Sequence, residues 1–234
     1  LNDNGDYLNV ISNSLKLEGK IYANEINVVA TDGKVSLKNT NSGLRQDNLK
    51  IEQEGGSHPK GVSIDSSALG GMYAGKINII STKDGAGINN KGAILADSSL
   101  KIDANGDLIN EGKLGSNGQT QISSKTISNQ KGSKISASNL GIKGSSVENR
   151  GNIHVSGDLS LGMYGKGAGT ELRNLGTIYL DASSATASNK ISTMTGVFVD
   201  DGAKFVNEAG GVIKSGSYSG NDNVNGLIGV AVLN

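Results

Sequence analysis

The heptapeptide INNKGAI at residues 88–94 returns twenty places later as LINEGKL at 108–114, then as VENRGNI at 147–153 and LRNLGTI at 172–178. Alignment on the asparagine gives a column of Asn90, Asn110, Asn129, Asn149, Asn174 and Asn207, with steps of 20, 19, 20, 25 and 33 residues. Two places before each stands an apolar residue: Ile88, Leu108, Ile127, Val147, Leu172 and Phe205. Two or three places after comes a glycine: Gly92, Gly112, Gly132, Gly151, Gly176 and Gly210. Two or three beyond that stands another apolar residue: Ile94, Leu114, Ile135, Ile153, Ile178 and Val212. A fixed period near this length marks a stacked repeat, in which one unit cannot bury its apolar face except against its neighbours.

Between the heptads, apolar residues alternate. Leu100 and Ile102 do so in SSLKIDA, Leu140 and Ile142 in SNLGIKG, and Leu159 and Leu161 in GDLSLGM. Period two describes a half-buried strand, and no segment sustains a 3.6-residue stripe. Short strands joined by Gly, Asn and Ser corners predict an all-β fold, a parallel β-helix (β-solenoid) with about 20 residues per coil. At that period 234 residues would make roughly eleven coils. Glycine at the corner supplies backbone angles that other residues resist. The asparagines either form an internal ladder of side-chain amides from coil to coil or serve as ordinary turn residues. LKLEGKI (15–21), ANEINVVA (23–30) and GKVSLKN (33–39) read as coils of the same solenoid with a different corner. HPKG (58–61), with the only proline, marks a loop or coil boundary.

Composition supports this reading. The chain has 35 Gly and only 3% aromatic residues, too few large side chains for an ordinary globule but enough for a thin aliphatic core. Net charge is zero, from 22 basic and 22 acidic residues without a basic block, so nucleic acid is not an expected partner. No apolar run reaches the roughly 18 residues of a membrane-spanning helix. Absent cysteine excludes a disulfide scaffold and thiolate zinc. With Leu1 first and no signal-peptide pattern after it, the chain reads as a piece of something longer.

SALGGMYAGKINIISTKDGAGINNKGAI (67–94), with its segment Leu69 to Ile77, resembles the filamentous-haemagglutinin-type exoproteins of two-partner secretion. The repeats from Asn90 to Gly151 are similar to that family's repeats, and LEGKIYANEINVVATDGKVSL (17–37) to the end of its secretion domain. The resemblance implies a right-handed parallel β-helix, export across a Gram-negative outer membrane by a partner transporter, and a secreted or cell-surface location. It also implies work as an adhesin on an unidentified cell-surface receptor or glycan. The family's Asn-Pro-rich secretion motifs are missing, since Pro59 is the only proline. Residues 161–180 and 195–213 share a frame that looks more like autotransporter passenger repeats, with a third copy starting at GLIGVAV (226–232). The expected organisation is therefore 1–66 as coils resembling the end of a secretion domain, 67–155 as haemagglutinin-type repeats, and 156–234 as divergent repeats.

No catalytic, cofactor or metal site is expected. Asp200, Asp201 and Glu208 lie near one another in sequence but read as a solvated corner, not the paired carboxylates of a glycosidase. Asp103 and Asp107 read as turn residues flanking Asn105 and Gly106. His58 stands far from His154, which should point outward between Ile153 and Val155. NDNVNG (221–226) opens like a calcium loop, but its twelfth position is Val232 where a carboxylate is needed. GKGAG (165–169) lacks the Lys-Ser/Thr of a phosphate loop. The expected function is a non-enzymatic adhesin segment. The alternatives are the stalk of a contact-dependent growth-inhibition toxin and a β-helical carbohydrate-active enzyme. The excess length within residues 181–196 is expected to leave the rod as a loop, where a rigid scaffold presents contacts.

Overall fold

The computed structural model describes residues 7–38, 48–52, 61–83, 86–186, 188, 190–216 and 224–233. The chain winds as a right-handed parallel β-helix with no α-helix among the described residues. Each coil lays strands on three faces. The first face carries the asparagine column. Its inward apolar positions stack as Leu15, Ile64, Ile88, Leu108, Ile127, Val147, Leu172 and Phe205. The second face stacks Ile21, Met72, Ile94, Leu114, Ile135, Ile153, Ile178 and Ile213. The third stacks Val10, Val28, Ile79, Ile102, Ile122, Ile142, Met163, Val197 and Val230. From Ile88 to Ile178 the residues of these columns are essentially fully buried. Burial of each Ile or Leu contributes about 1.5–3 kcal/mol. An almost purely aliphatic core suffices because every side chain meets its equivalent one rung away.

The third face has nine rungs, fewer than eleven coils, because the chain leaves the rod. Asn27 and Asn78 are neighbours on adjacent rungs although 51 residues separate them. Within that interval Lys34–Leu37 pairs antiparallel with Leu49–Glu52 in a separate two-stranded sheet. GKVSLKN is thus one arm of a hairpin and not a coil; its alternation is genuine, but alternation does not reveal which partner a strand takes. HPKG falls on residues of which 58–60 lie outside the described chain.

Two apolar positions differ from the sequence reading. Leu159 is 66% exposed with φ +53° and lies just before the strand Ser160–Lys166, whose large buried apolar residue is Met163. Val212 is exposed as well, and Ile213 stands over Ile178. At Val212 one extra corner residue, Gly210 with φ +90°, moves the strand's alternation by one, which exchanges its inner and outer faces. The strand after Leu159 keeps its phase, with Met163 over Ile142.

Candidate functional site

The asparagines form the ladder. Each Nδ2 donates 2.8 Å to the Oδ1 of the next: Asn90 to Asn110, Asn110 to Asn129, Asn129 to Asn149, Asn149 to Asn174 and Asn174 to Asn207. The same nitrogens also donate to backbone carbonyls of the next coil, those of Lys113, Lys134, Asn152, Thr177 and Val212. A carbonyl only accepts, so this second bond sets which end of each amide is nitrogen and makes every rung point the same way. All but Asn207, on the last rung, are buried. Ser66 occupies the column one rung below Asn90. It accounts for the one ladder atom left unpaired, the buried Oδ1 of Asn90, because a serine has no amide to continue the series. Its signal was present in sequence as Ile64 two places before it and Gly70 after it.

The corner glycines serve closeness more than conformation. A Cβ on Gly92 would lie 1.8 Å from the Gly70 carbonyl oxygen, one on Gly112 2.0 Å from that of Gly92, and one on Gly176 2.1 Å from that of Gly151. None of these has positive φ. Gly132 and Gly210 differ: their φ values are +87° and +90°, and each adds a residue to its corner. The residues stacked in the glycine column there are Ser133 and Gly211, which receive their rung's contacts instead. Ser133 fits because its Oγ donates 2.7 Å to Asn129 Oδ1.

The residues with chemical potential do not converge. Asp200 pairs with Lys166 at 3.4 Å, while Glu208 pairs with Arg173 at 2.5 Å, and Asp201 is exposed with φ +55°. Asp103 and Asp107 are not turn residues; both lie within the continuous strand Ala93–Asn110, and Asp107 accepts from Thr126 Oγ1 at 2.6 Å. Of NDNVNG, residues 221–223 lie outside the described chain, as does His58. GKGAG forms a corner with φ +91° at both Gly167 and Gly169. No group of three or more metal-binding side chains occurs among the described residues.

His154 faces out of the second face as expected but is partly covered. Its ring tilts on Tyr179 at 5.2 Å, and its Nε2 lies 3.1 Å from Asp181 Oδ2. That contact is the first of three that fasten the excursion after residue 180. The Ser184 hydroxyl donates to the Ser156 carbonyl, and Asp158 Oδ1 accepts from the backbone N–H of Ser192 and Thr193. Desolvation raises the Asp158 carboxyl, but the N–H groups of Ser192, Thr193 and Leu159 outweigh it and hold the carboxyl below its ordinary value. Asp181 is likewise lowered: desolvation is opposed by bonds from Ser183 and by His154. The excursion is not a bare loop, since Ala182 and Ile191 join the core and Ile191 bridges to Val224.

On the same face nearer the N-terminal rungs, Tyr22 and Tyr73 stack with ring centroids 5.1 Å apart and planes 16° from parallel. They border an open groove of about 1400 Å³. Residues 1–114 match the TPS secretion domain family, and residues 98–162 match the haemagglutinin repeat family. Residues 1–162 belong to a two-partner-secretion exoprotein of the filamentous-haemagglutinin type. The ladder begins inside the secretion-domain match and runs through the haemagglutinin-repeat match without a break. Among relatives, the chain is 34% identical over 118 residues to Toxin CdiA of Yersinia pestis, covering 50% of this chain and 3% of that protein. It is 25% identical over 184 residues to 16S rRNA endonuclease CdiA of Enterobacter cloacae, covering 79% of this chain and 5% of that protein. To tRNA nuclease CdiA-2 of Burkholderia pseudomallei it is 32% identical over 110 residues, 47% of this chain and 3% of that protein. The chain therefore spans a small part of the length of these relatives. No solved structure gives a significant match.

Proposed function

We propose that this chain is a non-catalytic rod segment of a large adhesin. In this reading the parent protein crosses the outer membrane through a partner transporter and is displayed at, or released from, the bacterial surface. Residues 1–66, 67–155 and 156–234 then act as three successive stretches of one rod. The observation that carries the reading is the unbroken stacking of three core columns and one amide ladder, with Asp200 and Glu208 divided between separate ion pairs and no cluster of three or more metal-binding side chains among the described residues. Such a rod holds contact surfaces away from the cell, and many weak contacts along it sum by avidity.

The names of the relatives favour a second reading, the stalk of a contact-dependent growth-inhibition toxin. One experiment separates the two. A strain displaying the parent protein should attach to target cells more than a strain lacking it, with no killing of neighbours. Equal attachment by both strains, with growth inhibition of co-cultured cells only by the displaying strain, would replace the adhesin with the stalk.

A further inference from the structure

We propose that the groove beside the Tyr22–Tyr73 stack binds a chain of neutral pyranose sugars. The groove arises from one outward column of the second face, in which large residues give way to small ones: Tyr22, Tyr73 and Leu95, then Gly115 and Ser136. The large residues build a wall, and the small ones leave a low floor running along the rod axis. Gly115 cannot be enlarged, because a Cβ there would lie 2.1 Å from the Ser136 carbonyl oxygen. The floor is therefore fixed by the spacing of the coils.

The wall is aromatic and preset. The Tyr73 ring lies over Gly71, where a Cβ would come within 2.7 Å of it, and against Tyr22 on the neighbouring rung. Tyr22 is 68% exposed. An exposed ring held in one orientation presents a flat, weakly negative face, which suits the C–H face of a pyranose. The opposite edge is polar. The Asp97 carboxylate and the Asn117 amide are exposed, and neither side chain has a hydrogen-bond or ion-pair partner among the described residues. Together they offer acceptors and donors to ring hydroxyls. The combination of an aromatic wall with a few free polar groups is the usual make-up of an orienting small-ligand site.

Charge narrows the class. Among the described residues that line the groove Asp97 is the only charged one, and none is Lys or Arg. Sulfated or sialylated glycans would meet a carboxylate with no cation to offset it, so a neutral oligosaccharide fits and an anionic one does not.

The inference deepens the attachment reading and rests on it in one respect, that this segment itself touches the target. Its test uses the purified 234-residue chain on an array of neutral and anionic oligosaccharides, so it is independent of cell attachment by the parent protein. Neutral glycans should be retained and anionic ones not. Asp97→Ala should weaken retention roughly tenfold or more with an unchanged melting temperature. Tyr22→Ala should do the same, and Tyr22→Phe, which keeps the ring, should restore it. Binding confined to anionic glycans, absence of glycan binding, capture of peptides in place of sugars, or wild-type retention by Asp97→Ala would each overturn the proposal.

Discussion

A leucine at position 149 would fill nearly the space of the asparagine it replaced, yet the fold should reject it. Asn129 Nδ2 would lose one of its two acceptors, keeping only the Asn152 carbonyl, and Asn174 Oδ1 would lose its donor, both inside the rod. Each buried group left unpaired costs about 1–3 kcal/mol. Arg150→Ala, one residue away, removes only a surface pair with Glu148, worth about 0–1 kcal/mol. Asn149→Leu should therefore lower the denaturation midpoint far more than Arg150→Ala, and Asn207→Leu, at the exposed last rung, should fall between them. Equal midpoints for all three would mean that the amide bonds contribute nothing net. The glycines separate in the same way. Gly112→Ala forces two coils apart at a 2.0 Å contact, whereas Gly141→Ala meets nothing within 4 Å and has ordinary φ. The first should destabilise, and the second should be neutral or slightly stabilising through a less flexible unfolded chain. Thermal melts of the two variants check this.

At the scale of the element, strands were legible and their corners were not. Period-two alternation located the strands around Leu100, Leu140 and Ile153, because inward residues must be apolar and outward ones need not be. The asparagine column was legible for the same reason, since a buried amide must repeat if it is to be paired. The reason for the glycines was not, because a sequence shows that a side chain is missing but not which carbonyl needs the space. Val212 misled because a corner longer by one residue leaves the composition unchanged while it reverses the strand, and Leu159 because its left-handed backbone places it in the corner just before the strand. The antiparallel hairpin from Lys34 escaped notice because pairing direction leaves no mark on alternation.

The excursion after residue 180 is held by carboxylates, and this gives it a pH dependence. Asp158 and Asp181 have lowered folded pKa values, so their contribution is fully present above the ordinary aspartate pKa of about 4 and is lost as pH falls through the lower folded value. The amides of Ser192 and Thr193 should be protected from hydrogen exchange at neutral pH and lose that protection in acid before the core strands do. Asp158→Ala, which removes the acceptor, should remove most of the protection at every pH. Protection that persists unchanged in this variant would show that burial of Ile191, and not the carboxylate, fastens the segment.

At the scale of the molecule, the rod is a sum of nearly equal rungs, each in contact only with its neighbours. Circular dichroism should show strand and almost no helix. The three faces also differ in kind. The first is closed by ion pairs from Arg173 to Glu148, Glu171 and Glu208 across its outer surface. The second carries Tyr22, Tyr73, Tyr179 and His154, while the third carries the Tyr164–Phe198 contact. Chemistry on one face can vary while the core columns stay fixed, which is how a repeat scaffold accommodates new surfaces.

The one-way ladder has an electrical consequence. Along a strand, successive peptide groups alternate in direction and their dipoles largely cancel. The side-chain amides between Asn90 and Asn207 do not alternate. A peptide-type amide carries about 3.5 D, so the column amounts to a line of aligned dipoles down the axis of the rod, positive towards Asn207 and negative towards Asn90. An anion at the Asn207 end is favoured and a cation there is not, in the manner of a helix terminus reproduced by a column of side chains on stacked strands.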